Sequence, residues 1–361
     1  MGDSYGYSTV QTCTMFTAIA NGNWHLDMYR SYDVVPSAIT VNKAKNIRFL
    51  DGGISFTGAN GLHLENDVWD CEVTGNFINR VGHAGVVVGH PQHLFENDPE
   101  NYVVSGSPRA GTDKEKFPRG TESVPRNIYV TNNFFYKTGY LFKNNNNFAA
   151  FFVQNLQVLH NFFFDVPCSA IMVGWGWWEF DGTSRSRLPG IPTNTSFNNK
   201  VSYNRIENYC MNVDDAGGIY TLGTQGKNDW TDYSEMNYNF INGWREGQHT
   251  GWVNGFHPDE GSKFINFTGN VVQRISRSVY EFNDFNGKSD MNVYQGFADI
   301  PNLFGTEAPR TTLDLTVIPD RTWPQMGHDV VLNSGLTDEY VWMVPESILS
   351  KADYELASNV Q

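Results

Sequence analysis

HNFFFDVPCSAIMVG, residues 160–174, sets an asparagine ahead of a short apolar run, a small-residue turn and a second apolar run. The unit recurs as GNFINRVGHAGVVVG (75–89), NNFFYKTGYLF (132–142), YNRIENYCMNV (203–213), YNFINGWREG (238–247) and GNVVQRISRSVYEF (269–282). Apolar runs this short, broken by Gly, Asn and Asp, read as strands, and their recurrence reads as stacked coils. The anchors are Asn76, Asn133, Asn161, Asn204, Asn239 and Asn270. Asn tolerates the left-handed backbone of a turn, and its amide can bond to the equivalent Asn one coil above and below. Phe134, Phe162 and Val271, which follow their anchors directly, are expected to stack inward.

The expected fold is all-β, a right-handed parallel β-helix with inserted loops and a C-terminal cap. A β-propeller, whose blades repeat at ~40–50 residues, fits the shorter spacings less well. If each coil takes ~22 residues, the excess is carried by insertions at 90–125, 179–198 and 222–232. Residues 1–35 read as an N-terminal cap or the remnant of a preceding segment, 36–305 as the coils, and 306–361 as a capping segment. That segment contains a helix-like stretch, 346–358, and is expected to cover the open end of the stack.

Composition agrees with many short strands: 34 Gly and 14% aromatic residues against 18% charged. A net charge of -14 and the lack of a Lys/Arg-rich run exclude nucleic acid as a partner. The same acidity favours a neutral oligo- or polysaccharide over an anionic one. No stretch approaches the ~20 apolar residues of a membrane span. Residues 1–25 do not read as a secretory leader; sequons at Asn194 and Asn266 are compatible with export, and a secreted or periplasmic protein is expected. Cys13, Cys71, Cys168 and Cys210 have no metal-type spacing; they read as buried thiols ahead of two disulfides. No cofactor motif is present, neither phosphate loop nor nucleophile elbow.

Two acidic, glycine-flanked turns carry the candidate chemistry, Asp214-Asp215-Ala216-Gly217-Gly218 and Asp259-Glu260-Gly261-Ser262. Paired carboxylates on adjacent coils are what acid/base or nucleophilic work at a sugar centre requires. Placing the excess of the 239–270 coil at 243–251 sets Asp259 directly over Asp215, with Glu260 as its rival. Tyr220, His249 and His257 lie near the pair in sequence and are candidates to bind hydroxyls, with Asp214. A metal site from His249, His257 and Asp259 lacks a spacing signature. Trp175, Trp177 and Trp178 end an apolar strand and offer flat faces to a sugar.

SAIMVGWGWW (169–178), DAGGIYTLGTQG (215–226) and PDEGS (258–262) resemble the parallel β-helix glycoside hydrolases of family 141. That family pairs an S-G-I-x-V-G-W-x-W strand with D-G-G-A-I-Y-T and a later D-E-G-S. The likeness extends from Val35 to Tyr340. It implies removal of α-L-fucose or cleavage of xylan through two aspartates, which by motif fall on Asp215 and Asp259. The chain departs from the pattern in D-A-G-G for D-G-G-A, in the extra Asp214, and in Phe256-His257 before PDEGS; the family's usual N-terminal portion is expected to lie outside it. Two alternatives stand beside a hydrolase. One is a polysaccharide lyase, for which Lys227, Arg245 and Lys263 are the nearby bases, and the other is a non-catalytic glycan-binding solenoid.

Overall fold

The computed structural model describes residues 35–89, 124–174, 196–213, 215–227, 230–243, 253–283, 290–304 and 312–350. Residues 1–34, most of the expected inserts at 90–125 and 179–198, and 351–361 lie outside them.

The fold is mostly β and β-helix-like. Nine short strands form one parallel sheet in chain order, from Ser37–Val41 through Ile171–Gly174, Gly217–Leu222, Asn254–Pro258 and Tyr280–Glu281 to Leu303–Phe304. A second parallel sheet of seventeen strands takes the remainder of the coils, as in Gln154–Leu159 and Phe162–Phe164 on either side of Asn161. Strands pair one coil on, so that Phe134, Phe162 and Arg205 stand in one row and Phe135, Phe163 and Ile206 in the next. Between the sheets lies a continuous apolar core. Leu62, Val86, Phe148, Ile171, Ile219 and Phe256 enter it from the nine-stranded sheet, and Val73, Val130, Val158, Val201, Met236 and Phe267 from the other. The stack runs on to Thr312–Val317, whose residues pair with Asp290–Ala298.

The asparagine ladder is continuous through the stack. Asn76 donates through its backbone N–H and Nδ2 to Asn133 Oδ1, both at 3.0 Å, and the pattern repeats from Asn133 to Asn161, Asn204, Asn239 and Asn270. The second Nδ2 proton reaches a strand carbonyl, as from Asn204 to Val158 O at 2.8 Å. The left-handed residue, however, is the one before each anchor: Gly75, Asn132, His160, Tyr203, Tyr238 and Gly269 all have φ between 54° and 70°. Once the amide is committed to the ladder, the preceding residue turns the chain. An exposed ladder, Asp70–Asn127–Asn155–Asn198, does place Asn in the left-handed region, with side-chain bonds of 2.7–3.0 Å.

Phe134, Phe162 and Val271 stack outward, which corrects the sequence reading; Phe135, Phe163 and Val272 fill the core instead. The outer aromatic row is buried by the C-terminal segment. Val330 of helix Gln325–Asn333 packs on Phe240, Val271 and Phe297, while Leu336, Met343 and Ile348 pack on Phe134, Phe162 and Phe164. Backbone and side-chain bonds tie it down, Gly335 N to Tyr203 O at 2.8 Å, Ser334 Oγ to Tyr238 O at 3.0 Å and Thr337 N to Asn132 Oδ1 at 2.9 Å. Residues 325–350 are therefore a strap along the flank rather than a lid on an open end, while Thr312–Val317 of the same segment adds a last strand to the stack. Beneath it, Arg205 is buried in an ion pair with Glu207 and donates to Val331 O at 3.1 Å. Cys71, Cys168 and Cys210 are buried, Cys71 and Cys168 as free thiols; Cys13 lies outside the described residues.

Candidate active site

Strands Gly217–Leu222 and Asn254–Pro258 are neighbours in the nine-stranded sheet, with Gly217 opposite Asn254, Tyr220 opposite His257 and Thr221 opposite Pro258. A Cβ on Gly217 would fall 2.9 Å from His257 N, so only glycine lets the two coils close here. Strand alternation sends Ile219 and Phe256 into the core and puts Tyr220 and His257 on the outer face.

Asp215 precedes the first strand and Asp259 follows the second, so the two acids approach along a diagonal. Their meeting point is His257. Its Nε2 lies 4.0 Å from Asp215 Oδ1 and 3.9 Å from Asp259 Oδ1. The two oxygens are therefore no more than about 8 Å apart, a range that includes the ~5–5.5 Å of retaining and the lower part of the ~6.5–9.5 Å of inverting glycosidases. This corrects the expectation that Asp259 stands directly over Asp215. The turn ahead of Gly217 is itself extended and offsets most of the excess assigned to 243–251.

The two carboxylates occupy opposite surroundings. Asp215 has φ 57° and a side chain 83% exposed. Asp259 is buried, and three donors converge on it: the Tyr220 hydroxyl on Oδ2, with Asn283 Nδ2 and the Glu260 N–H on Oδ1, each at 2.8 Å. Burial, reinforced by the Asp259 charge, pushes the Tyr220 phenol well above its usual range, so it remains a donor. Tyr220 meets the His257 ring edge-on, with centroids 5.1 Å apart. His257 is 1% exposed and its Nδ1 is buried with no hydrogen-bond partner. Its Nε2 stands too far from either acid for a direct bond, at a spacing that one bridging oxygen spans. Burial, with a contribution from Asp215, raises the Cys168 thiol to about 11.

Asp215, Tyr220, His257, Asp259 and Glu260 are thus brought together. Glu260 serves the turn through its backbone, its N–H capping Asp259 and its carbonyl accepting from Gly223 N at 3.4 Å. Asp214, Trp175, Trp177, Trp178 and His249 lie outside the described residues. Asn283 was not singled out from sequence; it follows the core residue Phe282 one coil after Asp259, and only the coil register exposes it. Among the described residues, no group of three His, Cys, Asp or Glu side chains is arranged to hold a metal ion. Nor is any described helix long and apolar enough to cross a membrane.

A solved structure shares this fold. It is described as a glycoside hydrolase, superimposes with a TM-score of 0.54 at 20% identity, and matches 84% of this chain and 41% of its own. The chain thus spans about two-fifths of that structure's length, and the likeness is one of fold. No protein-family model matches the chain, and a comparison with curated proteins finds no match.

Proposed function

We propose that the protein is a glycoside hydrolase on a right-handed parallel β-helix, cleaving a neutral glycan with Asp215 and Asp259 as its two carboxylates. The observation that carries this reading is the convergence of one exposed and one buried carboxylate on His257 Nε2, at 4.0 and 3.9 Å. Two carboxyl groups in unlike surroundings at such a separation are what glycosidic cleavage requires. The solved glycoside hydrolase of like fold supports it at the level of the scaffold.

Asp259, held by three donors, is an acceptor whose rotamer is set before substrate arrives; that suits a nucleophile or a base. Asp215 stands at the solvent lip, on the side of a leaving oxygen, and takes the general-acid role. As nucleophile, Asp259 forms an ester to the anomeric carbon that water then cleaves with Asp215 as base; as base, it takes a proton from the attacking water. His257 holds the space between them and offers Nε2 to a bridging water or sugar hydroxyl. Trp175, Trp177 and Trp178, with Asp214 and His249, remain proposed substrate contacts, and α-L-fucosides and xylan-type linkages are the first substrates to try. The lyase alternative is less well served, since Lys227 is occupied with Asp232 at 3.9 Å and lies over the Phe197 ring. A screen of chromogenic α-L-fucosides, β-xylosides, galactosides and arabinofuranosides tests the proposal: release by wild type that Asp259→Asn loses supports it, and release undiminished by that change refutes it.

A further inference from the structure

The outer face of the nine-stranded sheet does not end at the acid pair. Phe256 pairs with Tyr280, which sets Glu281 beside His257, and Glu281 in turn pairs with Phe304. One row therefore runs Met172, Tyr220, His257, Glu281, Phe304 along the stack. Successive members are one strand spacing apart, ~4.8 Å, which puts Phe304 about 10 Å beyond His257. That is the length of a disaccharide unit.

Phe304 is the anomaly in this row. Met172, His257 and Glu281 are all buried, whereas Phe304 is 53% exposed. An apolar ring left half in water is unremarkable alone. Here it has a charged partner set at the same place: Arg277 donates to Glu281 Oε1 at 2.6 Å and holds its guanidinium 5.3 Å from the Phe304 ring centroid. Glu281 is nearly buried and Arg277 mostly so, with side-chain exposures of 9% and 20%. Ring and ion pair together set an apolar face beside a guanidinium that Glu281 holds in place. Sugars present that combination in reverse, an apolar ring face edged by hydroxyls.

We propose that Phe304, with Arg277 and Glu281, is a glycan subsite two sugar units from the acid pair, and that the bound chain runs along the stack axis past His257 toward Leu303–Phe304. The proposal rests on the hydrolase reading for its direction, and it makes the substrate an oligosaccharide of three or more units rather than a single terminal sugar. Phe304 stacks on a ring face, and Arg277, held by Glu281, donates to that sugar's hydroxyls. None of the three touches the reacting atoms.

The test separates binding from cleavage. An array of neutral plant and host glycans, one to six sugars long, is probed with Asp259→Asn protein and with the same protein carrying Phe304→Ala or Phe304→Trp. Hydrolysis of the matching oligosaccharides and aryl monosaccharides is measured with the Asp259-intact versions. Binding is expected to require at least three sugars, to weaken about tenfold in Phe304→Ala through loss of the ring's apolar contact, and to persist in Phe304→Trp. In hydrolysis, Phe304→Ala is expected to raise KM about tenfold more for substrates of three or more sugars than for aryl monosaccharides. Chain-length-dependent binding that Phe304→Ala weakens, without any hydrolysis, upholds the subsite and removes the hydrolase reading. Hydrolysis indifferent to Phe304 on every length removes the subsite and leaves the hydrolase. Absence of both binding and hydrolysis overturns both. A far-ultraviolet spectrum and melting curve matching wild type confirm that each variant is folded.

Discussion

Replacing Asn204 with Ala isolates the interior ladder in one step. Asn204 is wholly buried and serves both neighbours. Its Oδ1 accepts the backbone N–H and Nδ2 of Asn161, each at 3.0 Å, and its Nδ2 donates to Val158 O at 2.8 Å and Asn239 Oδ1 at 3.0 Å. Asn239 Oδ1 keeps the Asn204 backbone N–H, and Asn161 Nδ2 keeps Val130 O and Leu159 O. The Asn161 N–H is left without its bond, and the Val158 and Ser202 carbonyls, which stand in or beside paired strands, each lose one of theirs. At ~1–3 kcal/mol for a stranded buried group, the change should cost about 2 kcal/mol. Asn155→Gly is the matched control. Asn155 belongs to the exposed ladder, water replaces its bonds, and its φ of 52° suits glycine, so the cost should stay below about 1 kcal/mol. Urea unfolding followed by circular dichroism reads both. A loss below about 1 kcal/mol for Asn204→Ala, or equal losses for the two variants, would refute the ladder's role.

Acid should weaken the fold through His83, whose burial lowers its pKa from 6.5 to about 4. Below pH 6.5 the unfolded chain takes a proton the folded one refuses, so stability falls from pH 6.5 toward pH 4; at pH 5 the loss is about 2 kcal/mol, and His83→Gln should flatten that slope in urea titrations. His63 and His160 are shifted in the same direction by burial and add to it. In Cys13→Ser protein, the remaining thiols should react with a disulfide reagent only after denaturation, and reductant should leave the melting temperature unchanged. Leu336→Asp should lift the strap from Phe134 and Phe162, seen as increased binding of a hydrophobic dye and a lower melting temperature, with unchanged dye binding counting against the strap.

The coil was legible because its anchors repeat and a buried Asn needs a partner at a fixed offset. Which of two adjacent phenylalanines faces inward was not. Strands such as Phe134–Tyr136 and Phe162–Phe164 are apolar on both faces because the strap buries the second one, so alternation carried no sign. As candidates, Asp259, His257 and Tyr220 were readable from residue type beside tight turns. Their register was not, because two turns of different length precede the paired strands, and a coil that absorbs extra residues leaves no mark of where it does so. Asn283 was hidden for the same reason: its meaning lies wholly in sitting one coil beyond Asp259. Phe304 likewise gains significance only from a row of residues scattered between 172 and 304.

The most direct test of the acid pair is the single-turnover rate on whichever glycan the wild type cleaves, compared for wild type, Asp215→Asn and Asp259→Asn. Each substitution keeps the side chain's size and hydrogen-bonding reach and removes its acid/base function. A fall of about 10²–10⁴ is expected in both variants, with folding and glycan binding retained. Turnover that either variant sustains at the wild-type rate would contradict it.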